Sequence, residues 1–422
     1  MYKKSLLSGG SKLITVPLEH TNTVTILLLV RTGSKNESEN IRGISHFLEH
    51  MFFKGTAKRP TTLDISKELD RVGGVYNAFT GKEYTGFWVK VDASNFDLAA
   101  DVISDIVLNS KFDQSEINKE RGTIIEEMNM YLDNPMMYVP TLYESVLYKD
   151  QPLGFDEIGN RETINSVKRE DFVKYYNDYY SADNIVIAVC GKINEKQVES
   201  KIGKYFMGIS DRRSPDQASA HDDQSQPNLL VNNRKTDQTH ICIGVRAYGI
   251  ESENKYAMSI LSAILGGNMS SRLFTSVREK NGLAYYIHTS AESYKDVGYL
   301  VTQAGLSNEK SIKAIKIILD EYKRIRDFGV DADELSKAKT YLKGRTTIAL
   351  ESSDSMASFV AMQELYSGKI LTPEEKFDKI DSVSAKDIKR VSEDIFVDKK
   401  LNLALIGPFE DNAPINGILS LK

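Results

Sequence analysis

INSVKREDFVKYYNDYYSADNIVIAVCGKI, residues 164–193, returns as IDSVSAKDIKRVSEDIFVDKKLNLALIGPF at residues 380–409, without a gap and at a constant offset of 216. Ile164, Ser166, Val167, Asp171, Ala188 and Gly191 recur as Ile380, Ser382, Val383, Asp387, Ala404 and Gly407. Upstream, TNTVTILLLVRTGS (21–34) and THICIGVRAYG (239–249) are β-branched strand candidates that end in Val30-Arg31 and Val245-Arg246, at an offset of 215. Between these anchors each half carries an amphipathic helix pattern, Phe96, Ala99, Val102, Ile103 and Ile106 in one, Ile312, Ile315, Leu319 and Tyr322 in the other. Each half therefore reads as strand, helix, strands, helices, strand. The same order of elements twice over is the mark of an internal duplication.

At 422 residues the chain exceeds what one hydrophobic core holds. The expected fold class is α+β: two homologous α/β-sandwich domains, residues 1–210 and 229–422, joined by a linker at 211–228. That linker, DRRSPDQASAHDDQSQPN, is polar, contains Pro215 and Pro227, and has no apolar period. His221 inside it reads as a solvated loop residue.

A net charge of −5 over this length offers no basic field for a nucleic acid, so no such partner is expected. No apolar run approaches the ~20 residues of a membrane-spanning helix, and the basic start MYKK lacks the apolar stretch of a secretory signal. Cys190 and Cys242 both sit in strand-like apolar runs, where a cysteine acts as a small hydrophobe, and no disulfide framework is indicated. These features point to a cytoplasmic protein.

The chemistry concentrates in GISHFLEHMFFKGT, residues 43–56. On a helix His46 and His50 share a face, and Glu49 lies beside them. Two imidazoles can hold a zinc ion while a neighbouring carboxylate takes a proton from its water. The order inverts the commoner H-E-x-x-H helix. A third protein ligand must come from elsewhere. In DQSEINKERGTIIEEMNMYL (113–132), Asp113 and Glu116 read as a capping box opening a helix with the apolar stripe Ile117, Ile124, Met128. Glu120 and Glu127 fall on that stripe, where a buried carboxylate needs a cationic partner, whereas Glu126 lies about 100° round and reads as solvated. A core helix with acids at its margin would explain one such residue, but not two histidines and three inward carboxylates together.

With these motifs the chain resembles the pitrilysin (insulinase) family of zinc metallopeptidases, in its shorter processing-peptidase branch, over essentially the whole length. The resemblance implies zinc, one ion per chain, held by His46, His50 and Glu127, with Glu49 as catalytic base and Glu120 as supporting acid. RVGGVYNAFTGKEYTGFW (71–88) reads as a turn at Gly73-Gly74 into a strand, and is similar to the family's segment that offers an edge strand to the peptide. Asn77, Ala78 and Phe79 are the contact residues so implied. SSRLFTSVREKNGLAYYI (270–287) resembles the family's clamping segment, which places Arg278 and Tyr285 on the scissile carbonyl. Their chemistry suits a carbonyl oxygen gaining charge. At the offset of 215, His46 to His50 correspond to Leu261, Ser262, Ala263, Ile264 and Leu265, so the second half is expected to hold no metal there.

The sequence thus points to a peptidase cutting extended, unstructured peptides in an enclosed chamber. The family encloses its chamber with four such domains, so the resemblance implies a homodimer of clamshell form. The alternative is a non-catalytic structural or targeting subunit of a larger complex, as among the family's inactive relatives.

Overall fold

A computed structural model describes residues 2–422 apart from Ser8. Alternating apolar runs produce two sheets. β1 (Lys3–Leu6), β2 (Lys12–Pro17), β3 (Thr23–Val30), β4 (Val75–Thr80), β5 (Thr85–Asp92) and β6 (Ile185–Gly191) form the first, in the order β1-β2-β6-β3-β5-β4. β7 (Asn228–Asn233), β8 (Gln238–Tyr248), β9 (Ala284–Ser293), β10 (Val297–Ser307) and β11 (Leu401–Gly407) form the second, in the order β7-β11-β8-β10-β9. Apart from β1 the two orders match strand for strand. β2 runs parallel to β6 as β7 does to β11, and the other neighbours are antiparallel. The offset of the repeat survives in three dimensions: helix Arg169–Tyr179 and β6 recur, at that same spacing, as helix Ala385–Ile395 and β11. The expected α+β duplication is therefore present.

Both faces of each sheet are covered, which is why the central strands are continuous apolar runs. In the first sheet the helix Phe96–Asn109 lies over β3 and β5 and buries Ala99, Val102, Ile103 and Ile106, the residues of its apolar stripe. The opposite face, Ile14, Val16, Leu27, Leu29, Val186 and Ala188, is closed by Ala357, Val360, Ala361 and Leu365 of the helix Ser353–Ser367. In the second sheet the helix Ser311–Phe328 buries Ala314, Ile315, Ile318 and Tyr322. Its opposite face, Cys242, Tyr299, Val301, Ala404 and Ile406, is closed by Val139, Tyr143 and Val146 of the helix Pro135–Tyr148.

The closing helices occupy equivalent places in the two halves, spaced almost as the repeat is, and they are exchanged. One compact unit comprises residues 1–128, 155–218 and 347–372, the other 129–154, 219–346 and 373–422. The linear division into 1–210 and 229–422 thus departs from the contact units at these two segments. An apolar helix face declares that it will be buried; it does not declare against which of two similar sheets. The linker 211–228 is irregular up to the start of β7 but tethered. Ser214 meets Ser181 in the first unit, and Asp222 and Gln224 engage Arg246 in the second. His221 is exposed.

Candidate metal centre

The helix Ile44–Met51 forms because Ile44, Phe47, Leu48 and Met51 make one buried stripe, with Phe47 edge-on to Phe172 at 4.8 Å. Their burial turns His46, Glu49 and His50 to the half-buried margin. Gly43 starts the helix at φ 87°, and a Cβ there would lie 2.3 Å from the Ile158 carbonyl oxygen. Buried Glu37 accepts the amides of Gly43 (2.7 Å) and Ser45 (2.8 Å), setting a carboxylate against the first free N–H groups of the helix. Burial pushes this acid up to about 7, with the two amides pulling the other way. Gly43→Ala should cost about 1–3 kcal/mol through strain and clash. Urea unfolding would check it, and an unchanged midpoint would contradict the assigned backbone geometry.

The partner helix Gln114–Asp133 buries Ile117, Glu120, Ile124 and Met128, and leaves Glu127 half-buried and Glu126 exposed, as the stripe requires. Asp113 caps it through its carbonyl to Ile117, and the Glu116 amide bears on its carboxylate, but no reciprocal bond from the Asp113 amide to the Glu116 side chain is found among the described residues. The Asp113 carboxylate is taken by the amide and hydroxyl of Ser115 (2.8 and 2.6 Å), and Glu116 pairs with Lys119 instead (2.6 Å). The i,i+3 cation outcompetes the reciprocal bond.

Glu127 Oε2 stands 3.6 Å from His46 Nε2 and 3.6 Å from His50 Nε2. That is too long for a hydrogen bond. It is close to the edge, about 3.3 Å, of a tetrahedron of ligands roughly 2.0–2.1 Å from a central zinc. Among the described residues these three form the one group of histidine, cysteine and acid side chains with metal spacing, all their ligand atoms within 4.8 Å. Burial, and secondarily His50, depress His46 to about 3, with Glu120 opposing, so its ring stays neutral as a ligand must. Its buried Nδ1 has no hydrogen-bond partner among the described residues. His50 Nδ1 instead donates to Glu120 Oε1 at 2.9 Å, which turns Nε2 toward Glu127. Burial would raise Glu120, but His50 and Lys54, the latter 2.5 Å from Oε2, hold it below the ordinary carboxylate range. The donor set, two neutral imidazoles and a carboxylate with an oriented supporting acid, fits a divalent zinc ion.

Glu49 is raised by burial, partly countered by a 2.6 Å hydrogen bond from Thr80 Oγ1 to its Oε2. Thr80 ends β4, which lies at the edge of the first sheet. On that strand Asn77 is exposed and its Oδ1 accepts the Ala78 amide (2.9 Å). Phe79 lies over Gly86 of β5, where a Cβ would come within 2.2 Å of its ring. The Phe79 side chain is committed to the sheet and its backbone is paired with Gly86, so the outward-facing main-chain groups beside it are those of Ala78.

Arg278 and Tyr285 belong to the second unit. A wide π-helical turn, Phe274–Glu279, carries Arg278, whose guanidinium sits 4.9 Å from the Phe274 ring and 6.0 Å from the Tyr285 ring. Tyr285, the second residue of the edge strand β9, is 75% exposed, while neighbouring Tyr286 is engaged with His240 Nδ1 at 3.0 Å. The segment matching the histidine helix, Lys255–Gly266, buries Leu261, Ala263, Ile264 and Leu265 and holds no ligands. Thr80, Lys54 and Glu37 escaped the reading of the sequence. Lys54 alone left a signal there, a lysine one turn after His50 on the side of an acid needing a cation.

An α+β duplication with an inverted histidine motif on one half defines a class of metallopeptidase-like proteins. Residues 13–159 match the family described as Insulinase (Peptidase family M16), and residues 166–342 match Peptidase M16 inactive domain. The chain belongs to the M16, or pitrilysin, family. A Bacillus subtilis protein named uncharacterized zinc protease YmxG is 33% identical over 411 residues, covering 97% of this chain and 98% of its own. An uncharacterized zinc protease of Streptomyces coelicolor is 31% identical over 415 residues, covering 97% and 90%. A Helicobacter pylori protease of known structure superposes with TM-score 0.90 at 22% identity, covering 97% of this chain and all of that one. A chain of complex III from Candida albicans superposes with TM-score 0.85 at 20% identity, covering 99% of each. The last two share the fold.

Proposed function

We propose that the chain is a zinc-dependent endopeptidase or oligopeptidase that hydrolyses extended, unstructured peptides. The observation that carries this reading is the 3.6 Å spacing of Glu127 Oε2 from both histidine Nε2 atoms, with Glu49 beside them. Zinc bound there supplies a Lewis acid that polarises the scissile carbonyl and acidifies a water. His46, His50 and Glu127 hold the ion, and Glu120 keeps the His50 ring in the tautomer whose Nε2 is free to ligate. Glu49 takes a proton from the attacking water and returns it to the leaving amine. The peptide adds along β4 by main-chain hydrogen bonds near Asn77, Ala78 and Phe79, a mode of binding with little demand on sequence. On this proposal Arg278 and Tyr285 come from the second chain of a homodimer and donate to the carbonyl oxygen as it gains charge.

A scaffold role is disfavoured by a complete ligand set and an intact base. The test is zinc content of the purified chain together with cleavage of an unstructured peptide mixture, before and after chelation and zinc readdition. Zinc near one equivalent with chelator-sensitive cleavage is expected; a metal-free, inert chain in zinc-supplemented buffer would favour the scaffold.

On this proposal a homodimer encloses the chamber, which mass in solution tests. A cytoplasmic location fits two free, buried cysteines. Among the described residues no helix is long and apolar enough to cross a membrane. Stable globular proteins should resist cleavage, because strand addition needs an extended segment. A folded protein and its unfolded form, incubated side by side and followed by mass spectrometry, check this, and equal rates would refute the chamber.

A further inference from the structure

Glu49 has one oxygen engaged and one open. Thr80 Oγ1 donates to Oε2 at 2.6 Å, and no hydrogen bond to Oε1 is found among the described residues. A carboxylate held this way has lost its freedom to rotate, and the open oxygen keeps one direction. The donor itself stands on fixed backbone. Thr80 pairs with Thr85 in the β4–β5 ladder, and the Gly81 amide closes the turn on the Tyr84 carbonyl at 2.8 Å. The turn is in turn tied to the loop before the histidine helix. Ser34 and Lys35 donate their amides to the carbonyls of Gly81 (3.2 Å) and Lys82 (2.8 Å). A Cβ at Gly33 would lie 2.0 Å from the Gly81 oxygen, so only glycine admits this approach. Below the turn, Lys35 and Glu83 form a buried ion pair at 2.7 Å, and Lys82 donates to the Phe155 carbonyl at 2.5 Å.

We infer that Thr80 is a positioning residue for Glu49, and that it ties the base to the strand on which the peptide is laid. This rests on the peptidase reading above. The same strand that aligns the peptide then carries, at its last residue, the hydroxyl that aims the base, so substrate register and base direction share one piece of backbone. A misdirected base slows proton transfer without loosening the peptide or the metal.

Thr80→Val keeps the shape and strand preference and deletes the donor, whereas Thr80→Ser keeps the donor. With zinc content and thermal unfolding measured alongside, Thr80→Val should lower kcat on an unstructured fluorogenic peptide by about 10–100-fold. KM should stay within about twofold and Thr80→Ser should recover kcat to within about threefold. Zinc content should be unchanged in both. An unaltered kcat in Thr80→Val, a loss shared equally by Thr80→Ser, or a loss that appears as missing zinc or raised KM each overturns the assignment. Failure of the peptidase reading looks different: the wild-type chain, zinc bound, cleaves nothing, and the role of Thr80 falls with it.

Discussion

Glu49→Gln should purify with the zinc content of the wild type and cleave peptides about 10²–10⁴-fold more slowly. The amide fills the same volume and can still accept from Thr80 Oγ1, so the helix Ile44–Met51 and its two histidines stay in place. It cannot accept a proton from water at neutral pH. Because Glu49 lies outside the His46, His50, Glu127 group, metal content has no reason to fall, and added zinc has no reason to restore activity. Metal analysis beside kcat/KM decides the matter. Wild-type turnover by this variant would remove Glu49 as the base.

Glu127→Gln should fail in the opposite manner. On the proposed ligand set the substitution replaces its one anionic member by a neutral amide, a poor zinc donor, and leaves two neutral imidazoles facing a dication. Zinc affinity, read by competition with a chromophoric chelator, should fall by about 100-fold or more. Part of the activity should return as zinc is raised, since Glu49 is untouched. Response to added zinc thus separates the two variants. Retention of zinc by Glu127→Gln at wild-type affinity would show that the third ligand lies elsewhere.

The two glutamates were legible because helical period is a strong constraint. Seven residues are nearly two turns, so Glu120 and Glu127 had to share the stripe of Ile117, Ile124 and Met128, and both were costly there without a cation. The strands of the repeat were legible for the same kind of reason, since a β-branched run that recurs at one offset is hard to produce except by duplication. Arg278 and Tyr285 were reached by resemblance alone; nothing in an arginine and a tyrosine seven apart announces a site. Thr80 was invisible because a threonine in a strand is unremarkable until the side chain across from it is known. The reciprocal half of the capping box failed for want of a rule that ranks competitors: Asp113 also had Ser115, and the Glu116 side chain had Lys119. The exchange of the closing helices could not be read at all, because both sheets offer the same apolar welcome.

That exchange bears on how the chain comes into being. The first sheet is complete in strands once β6 has been synthesised, at Gly191, yet its second face waits for Ala357, Val360 and Ala361, which come only late in the second half. A ribosome therefore releases a half-clad sheet, and the nascent chain must be shielded, or must hold loosely, until that late helix emerges. The helix Pro135–Tyr148 waits in the same way for β8, β10 and β11. Neither half of the gene encodes a finished object. A protease nick in the linker would leave two fragments that each carry a helix of the other's sheet, and a stop codon there would leave the first sheet with one apolar face bare.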